Sequence, residues 1–263
     1  MIYIKTAPEI EIMRQCGRKV RLALDAMSDA IVPGKSTTAD LDAIGEEVLR
    51  NEGAVPSFKG YKGFPAAVCI SVNDEVVHGI PGPRLLLEGD IVSLDIGAFF
   101  EGFHGDSAWT YAVGEISSVA QRLLNVTKES LYQGIAQARE GNRTGDIGSA
   151  VASYVERHGY SAVRDLVGHG IGRSLHEEPN VPNFGKPGTG PRLKAGMTIC
   201  IEPMINQGKY HVRCLADHWT TVTQDGKFSA HFEHMVLVTK GSPVILTDLS
   251  SSPTVLSGQA LKA

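Results

Sequence analysis

What this sequence lacks narrows it before any motif is considered. It has no run of 18 apolar residues, so no helix is expected to span a membrane. It has no block of Lys or Arg, and its formal net charge is −4, which argues against nucleic acid or an anionic membrane surface as the main partner. Residues 1–9 show neither the basic stretch nor the apolar core of a secretory signal, so a cytoplasmic location is expected. Cysteine is sparse and unpatterned: Cys16, Cys69, Cys200 and Cys214 form no CxxC pair. That spacing excludes a zinc ribbon, and the expectation is reduced thiols rather than a disulfide framework. The remaining composition is that of an ordinary globular protein, 42% apolar and 21% charged over 263 residues, long enough to bury a sizeable core. The length admits two small domains or one large α/β unit.

Thr6 and Glu9 form a capping box, and Ile10, Met13, Val20, Leu24, Met27 and Ile31 recur behind it at helical spacing. Pro33-Gly34 ends that helix; a second starts near Thr38 and ends at Gly53. Strand-like runs at 66–72 and 75–78 and a Pro/Gly turn lead to the stretch from Asp95 to Asp106, between the apolar runs 91–94 and 108–113. Two strands joined through Gly102 read as a β-hairpin. A turn centred on Phe100–Glu101 or on Glu101–Gly102 makes Asp95 and Asp106 direct or diagonal cross-strand neighbours. After Gly114 the order restarts: helices opening at Ser117/Ser118 and after Thr144, a strand-like run at 162–167, a polar loop at 177–191, then strands at 198–201, 220–223 and 235–239. Gly34-Lys-Ser-Thr37 matches Gly141-Asn-Arg-Thr144, and the segment ending in Asp95 matches the one ending in Glu202, both 107 positions apart. This internal repeat predicts one α+β unit of two pseudo-symmetric halves, with a mainly antiparallel sheet covered by helices.

The repeat pairs side chains of metal-ligand type: Asp95 with Glu202, Asp106 with Glu233, His78 with His169. Each has a plain alternative as a capping aspartate, a backbone-bonded histidine or a solvated strand end. Glu202 is different, because it lies inside the apolar run Thr-Ile-Cys-Ile-Glu-Pro-Met-Ile and needs a partner if buried. Four carboxylates gathered at a pseudo-two-fold axis require about two divalent cations to relieve their repulsion. Oxygen donors with an imidazole suit Mn²⁺, Fe²⁺, Co²⁺ or Zn²⁺ alike. Gly168-His-Gly-Ile-Gly172 is not a dinucleotide fingerprint, since a Pro/Gly loop follows it where a helix should.

Val76-Val-His78-Gly-Ile-Pro81, the hairpin ending Gly102-Phe-His-Gly-Asp106, Gly168-His-Gly-Ile-Gly172, Leu175-His-Glu-Glu-Pro179, Ile201-Glu-Pro-Met204 and Ala230-His-Phe-Glu-His234 occur in one order. Together they resemble the type I methionine aminopeptidases over residues 5–245. The resemblance implies the pita-bread fold, here as one catalytic domain over 1–250 with halves of about 1–115 and 116–250 and a tail at 251–263. It implies two divalent ions, among Co, Mn, Fe, Zn or Ni, on Asp95, Asp106, His169, Glu202 and Glu233. A metal-bound hydroxide would attack the carbonyl after an N-terminal methionine. Glu202 would act as general base and then acid, His176 would bond the carbonyl oxygen, and His78 would contact the scissile amide nitrogen or the second residue. Phe58, Tyr61, Phe64, Cys69, Leu175, Trp219 and His78 would line the methionine slot. The implied partners are the N-termini of nascent polypeptides with a small second residue, met near the ribosome exit tunnel by a cytoplasmic monomer.

The chain departs from the common pattern in its lining. Phe58 and Phe64 stand where the bacterial enzymes have a cysteine and a tyrosine, Leu175 replaces a phenylalanine, and His231 replaces the usual glutamine. Prolidases and proline-specific aminopeptidases resemble this chain in their five ligands but have an additional N-terminal domain, for which the first helix at residue 8 leaves no room. Creatinase-type and proliferation-associated relatives predict lost ligands, and the set here is intact.

Overall fold

The computed structural model describes residues 2–248; the expected tail at 251–263 lies outside the described residues. The first half runs α1 (Ala7–Asp29), α2 (Thr38–Asn51), β1 (Val55–Pro56), β2 (Val68–Val72), β3 (Glu75–Val77), β4 (Ile91–Phe100) and β5 (Phe103–Ala112). The second opens with α3 (Ser118–Ile135) and α4 (Thr144–Arg157), followed by β6 (Ser161–Ala162), β7 (Gly168–Gly170), β8 (Glu177–Val181) and β9 (Thr198–Ile201). It closes with β10 (Met204–Asn206), β11 (Val212–Cys214), β12 (Thr221–Thr223), β13 (Ser229–His231), β14 (His234–Leu237) and β15 (Val244–Ile245).

The helices form where capping and apolar spacing agree. The Glu9 carboxylate accepts from the Thr6 N–H at 2.8 Å, and Ser117 caps α3 by accepting from Ala120 N–H. α1 stops at Asp29, so Ile31 falls beyond it. In the first half Val20, Leu24, Met27 and Leu41 pack on Val68, Ile70, Leu94 and Ile96. In the second, Leu123, Leu131, Ile147 and Val151 pack on Ile199, Ile201, Ile205 and Val236. Each such side chain removed from water contributes about 1.5–3 kcal/mol, and this burial is what fixes the helices to the sheet.

Among the described residues all the strand ladders are antiparallel, and their registers expose the pseudo-two-fold relation. β9 and β10 form one run against β14 and β13 with unbroken register, from Thr198↔Leu237 to Asn206↔Ser229. This run repeats the β4–β5 hairpin. β1 and β2 flank β4 as β6 and β7 flank β10 and β9. Loop bonds repeat as well: Gly34 N–H donates to Leu86 O and Gly141 N–H to Leu193 O, while Gly89 and Val113 bond reciprocally through Val113 O and Asp90 O, as Gly196 and Val238 do through Val238 O and Met197 O.

The registers correct three pairings read from sequence. Gly97↔Asp106 and Met204↔His231 are equivalent pairs, so the counterpart of Asp106 is His231; Glu233, opposite Glu202, corresponds to Ala108, opposite Asp95. Val72↔Val92 and Gly170↔Ile199 are likewise equivalent, so His169 corresponds to Ser71 and not to His78. The cap of α4 is Arg143, one residue before the Thr144 that was matched to Thr37. Two segments also differ. The expected strand at 162–167 ends at Ala162, because Val163 bonds Met204 and the chain then turns so that Asp165, Leu166 and Val167 line a cavity. The polar loop at 177–191 begins with β8, which pairs with the glycines of β7.

Candidate metal centre and active site

β4 and β5 turn at Glu101–Gly102, both with positive φ (48° and 82°), the second of the two turns considered from sequence. Asp95 faces Ala108 across the ladder and Asp106 faces Gly97, so the two aspartates are diagonal neighbours. Two ionised carboxylates cannot share that position unless a proton or a cation sits between them. β5 also pins the second half: Ser107 Oγ donates to Glu233 O at 2.6 Å, and Glu233 N–H donates to Ala108 O at 2.8 Å. Glu233 is thereby held beside Asp106.

His169 sits between two glycines for a steric reason. A Cβ at Gly168 would lie 2.3 Å from Cys200 O, and one at Gly170 the same distance from Glu178 O. Only glycine lets β7 pass so close between β8 and β9. His169 Nδ1 donates to Gly170 O at 2.9 Å, which leaves the Nε2 lone pair directed at Glu202 Oε1 (3.6 Å) and Asp106 Oδ2 (4.0 Å). Donor atoms of Asp106, His169, Cys200 and Glu233 all lie within 4.8 Å of one another. By sequence spacing Cys200 is only an unpatterned thiol. Its alternation with Thr198 and Glu202 along one strand was the signal that places it on the site face.

Burial dominates the electrostatics. It drives Asp95 up to about 7 and Asp106, Glu202 and Glu233 well above the carboxylate range, the neighbouring carboxylates adding to the last three. It also holds His169 down to about 4 and His176 to about 3, the latter with help from nearby cationic groups. Asp95 Oδ1, Asp106 Oδ1 and Glu233 Oε1 are buried without hydrogen-bond partners. Unsatisfied acceptors converging with an imidazole lone pair form a donor set that fits divalent cations, which would take the place of the protons.

Asp95, Asp106, His169, Glu202 and Glu233 open onto a cavity of about 320 Å³, together with His78 and His176. The same cavity is lined by Phe58, Tyr61, Phe64, Cys69, Leu175 and Trp219. Phe64 meets Trp219 edge-to-face at 5.1 Å, and His78 meets Trp219 at 6.4 Å. His78 holds a positive φ of 60°, a strained conformation of the kind retained at working sites. His176 stacks on Tyr61 and lies within 2.9 Å of its hydroxyl through Nδ1. Val77, Asp165, Leu166, Val167 and Met204 also line the cavity and were not foreseen. They come from loops and short strands without periodic signal.

A buried multi-carboxylate site with an open apolar slot is the arrangement of a metallohydrolase. The family model of metallopeptidase family M24 matches residues 11–240, and the chain belongs to that family. It is 53% identical over 247 residues to methionine aminopeptidase 1 of Bacillus subtilis (strain 168), covering 94% of this chain and 99% of that protein. It superposes on the crystal structure of a methionine aminopeptidase from Thermotoga maritima with a TM-score of 0.92 and 46% identity, covering 94% of this chain and all of that one. The prolidase of Pyrococcus furiosus shares the fold, with a TM-score of 0.76 at 23% identity, 93% of this chain and 65% of that one. The fold is the pita-bread fold of two pseudo-symmetric halves, and the chain is a hydrolase of a metal-dependent family.

Proposed function

We propose that this chain removes an N-terminal methionine from nascent proteins and peptides whose second residue is small, in the cytoplasm, with residues 1–250 as one catalytic unit. The observation that carries the reading is one cavity in which five side chains of metal-ligand type, two further histidines and an apolar aromatic slot converge. The names of the similar proteins point the same way. Asp95, Asp106, His169, Glu202 and Glu233 would hold two divalent ions, which supply a water of lowered pKa and polarise the scissile carbonyl.

The chain's own groups do the rest. The methionine side chain enters between Phe58, Tyr61, Phe64, Cys69, Leu175 and Trp219, where its thioether meets aromatic faces. With the Tyr61 hydroxyl donating to His176 Nδ1, the neutral imidazole keeps its proton on Nε2 and donates it to the carbonyl oxygen as negative charge develops there. Glu202 accepts a proton from the attacking water as the C–O bond forms, and returns it to the amide nitrogen as the C–N bond breaks. His78 contacts that nitrogen and sets how bulky the second residue can be. The test is a panel of Met-Xaa-Ser peptides with varied second residue, metal-loaded. Gly and Ala at the second position are expected to be cleaved and Leu or Phe refused; preference for Xaa-Pro peptides sinks the substrate assignment.

A further inference from the structure

We infer that His231 is a positioning residue for Glu202, holding its carboxylate through Nε2–H. The inference rests on the proposed role of Glu202 as ligand and proton carrier. His231 is 2% exposed, and its Nε2 has no hydrogen-bond partner among the described residues. That nitrogen stands 3.9 Å from Glu202 Oε2, while the other oxygen, Oε1, faces His169 Nε2 at 3.6 Å. Glu202 is therefore bracketed by two imidazoles. His169 offers a lone pair, since its proton is engaged by Gly170, and His231 offers the donor.

The register makes the placement more than incidental. His231 stands opposite Met204 as Asp106 stands opposite Gly97, so His231 is to Glu202 what Asp106 is to Asp95. In the first half that diagonal pair is Asp95 with Asp106, two carboxyls that line the same cavity. In the second the two side chains stand 3.9 Å apart, about 1 Å beyond the usual contact near 2.9 Å, and the proposed bond forms when the Glu202 carboxylate turns toward Nε2. The backbone at His231 cannot drift, because Thr110 Oγ1 accepts from its N–H at 2.9 Å and donates to its carbonyl at 2.7 Å. A glutamine at this position would present an amide N–H that can do the same work.

The test titrates metal-stripped protein with cobalt(II) by calorimetry and measures Met-Ala-Ser turnover in parallel. His231→Leu is expected to weaken cobalt(II) binding by about 10–100-fold and to lower kcat with KM nearly unchanged, and His231→Gln to recover most of both. Wild-type cobalt(II) affinity in a folded His231→Leu overturns the inference, as does a His231→Gln no better than Leu. Should His231→Leu not fold, His231→Asn, whose amide is too short to reach, replaces it: weaker binding than His231→Gln supports the role, and equal binding overturns it. Because calorimetry needs no peptide, it judges His231 even if Met-Ala-Ser proves not to be the substrate.

Discussion

Replacing Asp95 by asparagine should make the metal-free protein more stable, by an amount that grows with pH. Burial lifts the Asp95 carboxyl from 3.8 to about 7, against a smaller opposing effect of the Asp106 side chain. Between those values the folded protein keeps a proton that the unfolded chain has already lost. Folding stability therefore falls as pH rises through this window, levelling off above pH 7. The span corresponds to about 4 kcal/mol when complete. Asparagine has no proton to lose. The buried histidines push the other way, because their folded-state values are lowered, so their contribution rises with pH. Subtracting wild type from Asp95→Asn removes that background. Urea midpoints of both metal-stripped proteins, taken from pH 4.5 to 7.5, should show a difference smallest at the acid end and largest at the neutral end. Saturating divalent metal should narrow the difference, adding about 2.7 kcal/mol to wild type at 100 times Kd and less to the variant. A difference that stays flat across the pH range would refute the claim that these carboxyls are destabilised until a cation replaces their protons.

Glu202→Gln should keep the fold but lower kcat by about 10²–10⁴-fold, measured by methionine release at saturating peptide. Phe64→Ala removes the edge-to-face partner of Trp219 and widens the slot; it should cost about 3–5 kcal/mol in urea unfolding and let norleucine or phenylalanine compete with methionine in kcat/KM. Gly168→Ala drives a Cβ against Cys200 O and must push β7 off β9. It should destabilise by about 1–3 kcal/mol or more and weaken cobalt(II) binding through His169, both readable by calorimetry.

The helices were legible because caps and 3.6-residue spacing coincide, as at Thr6–Glu9 and Ser117. The hairpin was legible because period-2 runs flank a Gly-bearing link. The five candidate donors line one cavity, yet two of the pairings that involve them, Asp106 with Glu233 and His78 with His169, are not those of the register. The reason is geometric: β9 and β10 follow β4 at an offset of 107, while β13 and β14 are displaced from β5 by a different number, and only the ladder register reveals that Asp106 matches His231. Sequence also missed β8, whose Glu-Glu-Pro-Asn-Val carries no strand signal and pairs only because Gly168 and Gly170 admit it. Cys200 was hidden by its residue type. Val167 and Met204 reach the cavity from segments whose placement depends on the packing of both halves.

The central claim is that a buried carboxylate–imidazole cradle cleaves an N-terminal methionine only when a divalent cation occupies it. Its most direct test is methionine release from Met-Ala-Ser by the chelator-stripped protein, before and after divalent metal is restored. Release should be absent from the stripped protein and return with metal in wild type but not in Asp106→Asn. Full-rate cleavage by the stripped protein would contradict the account.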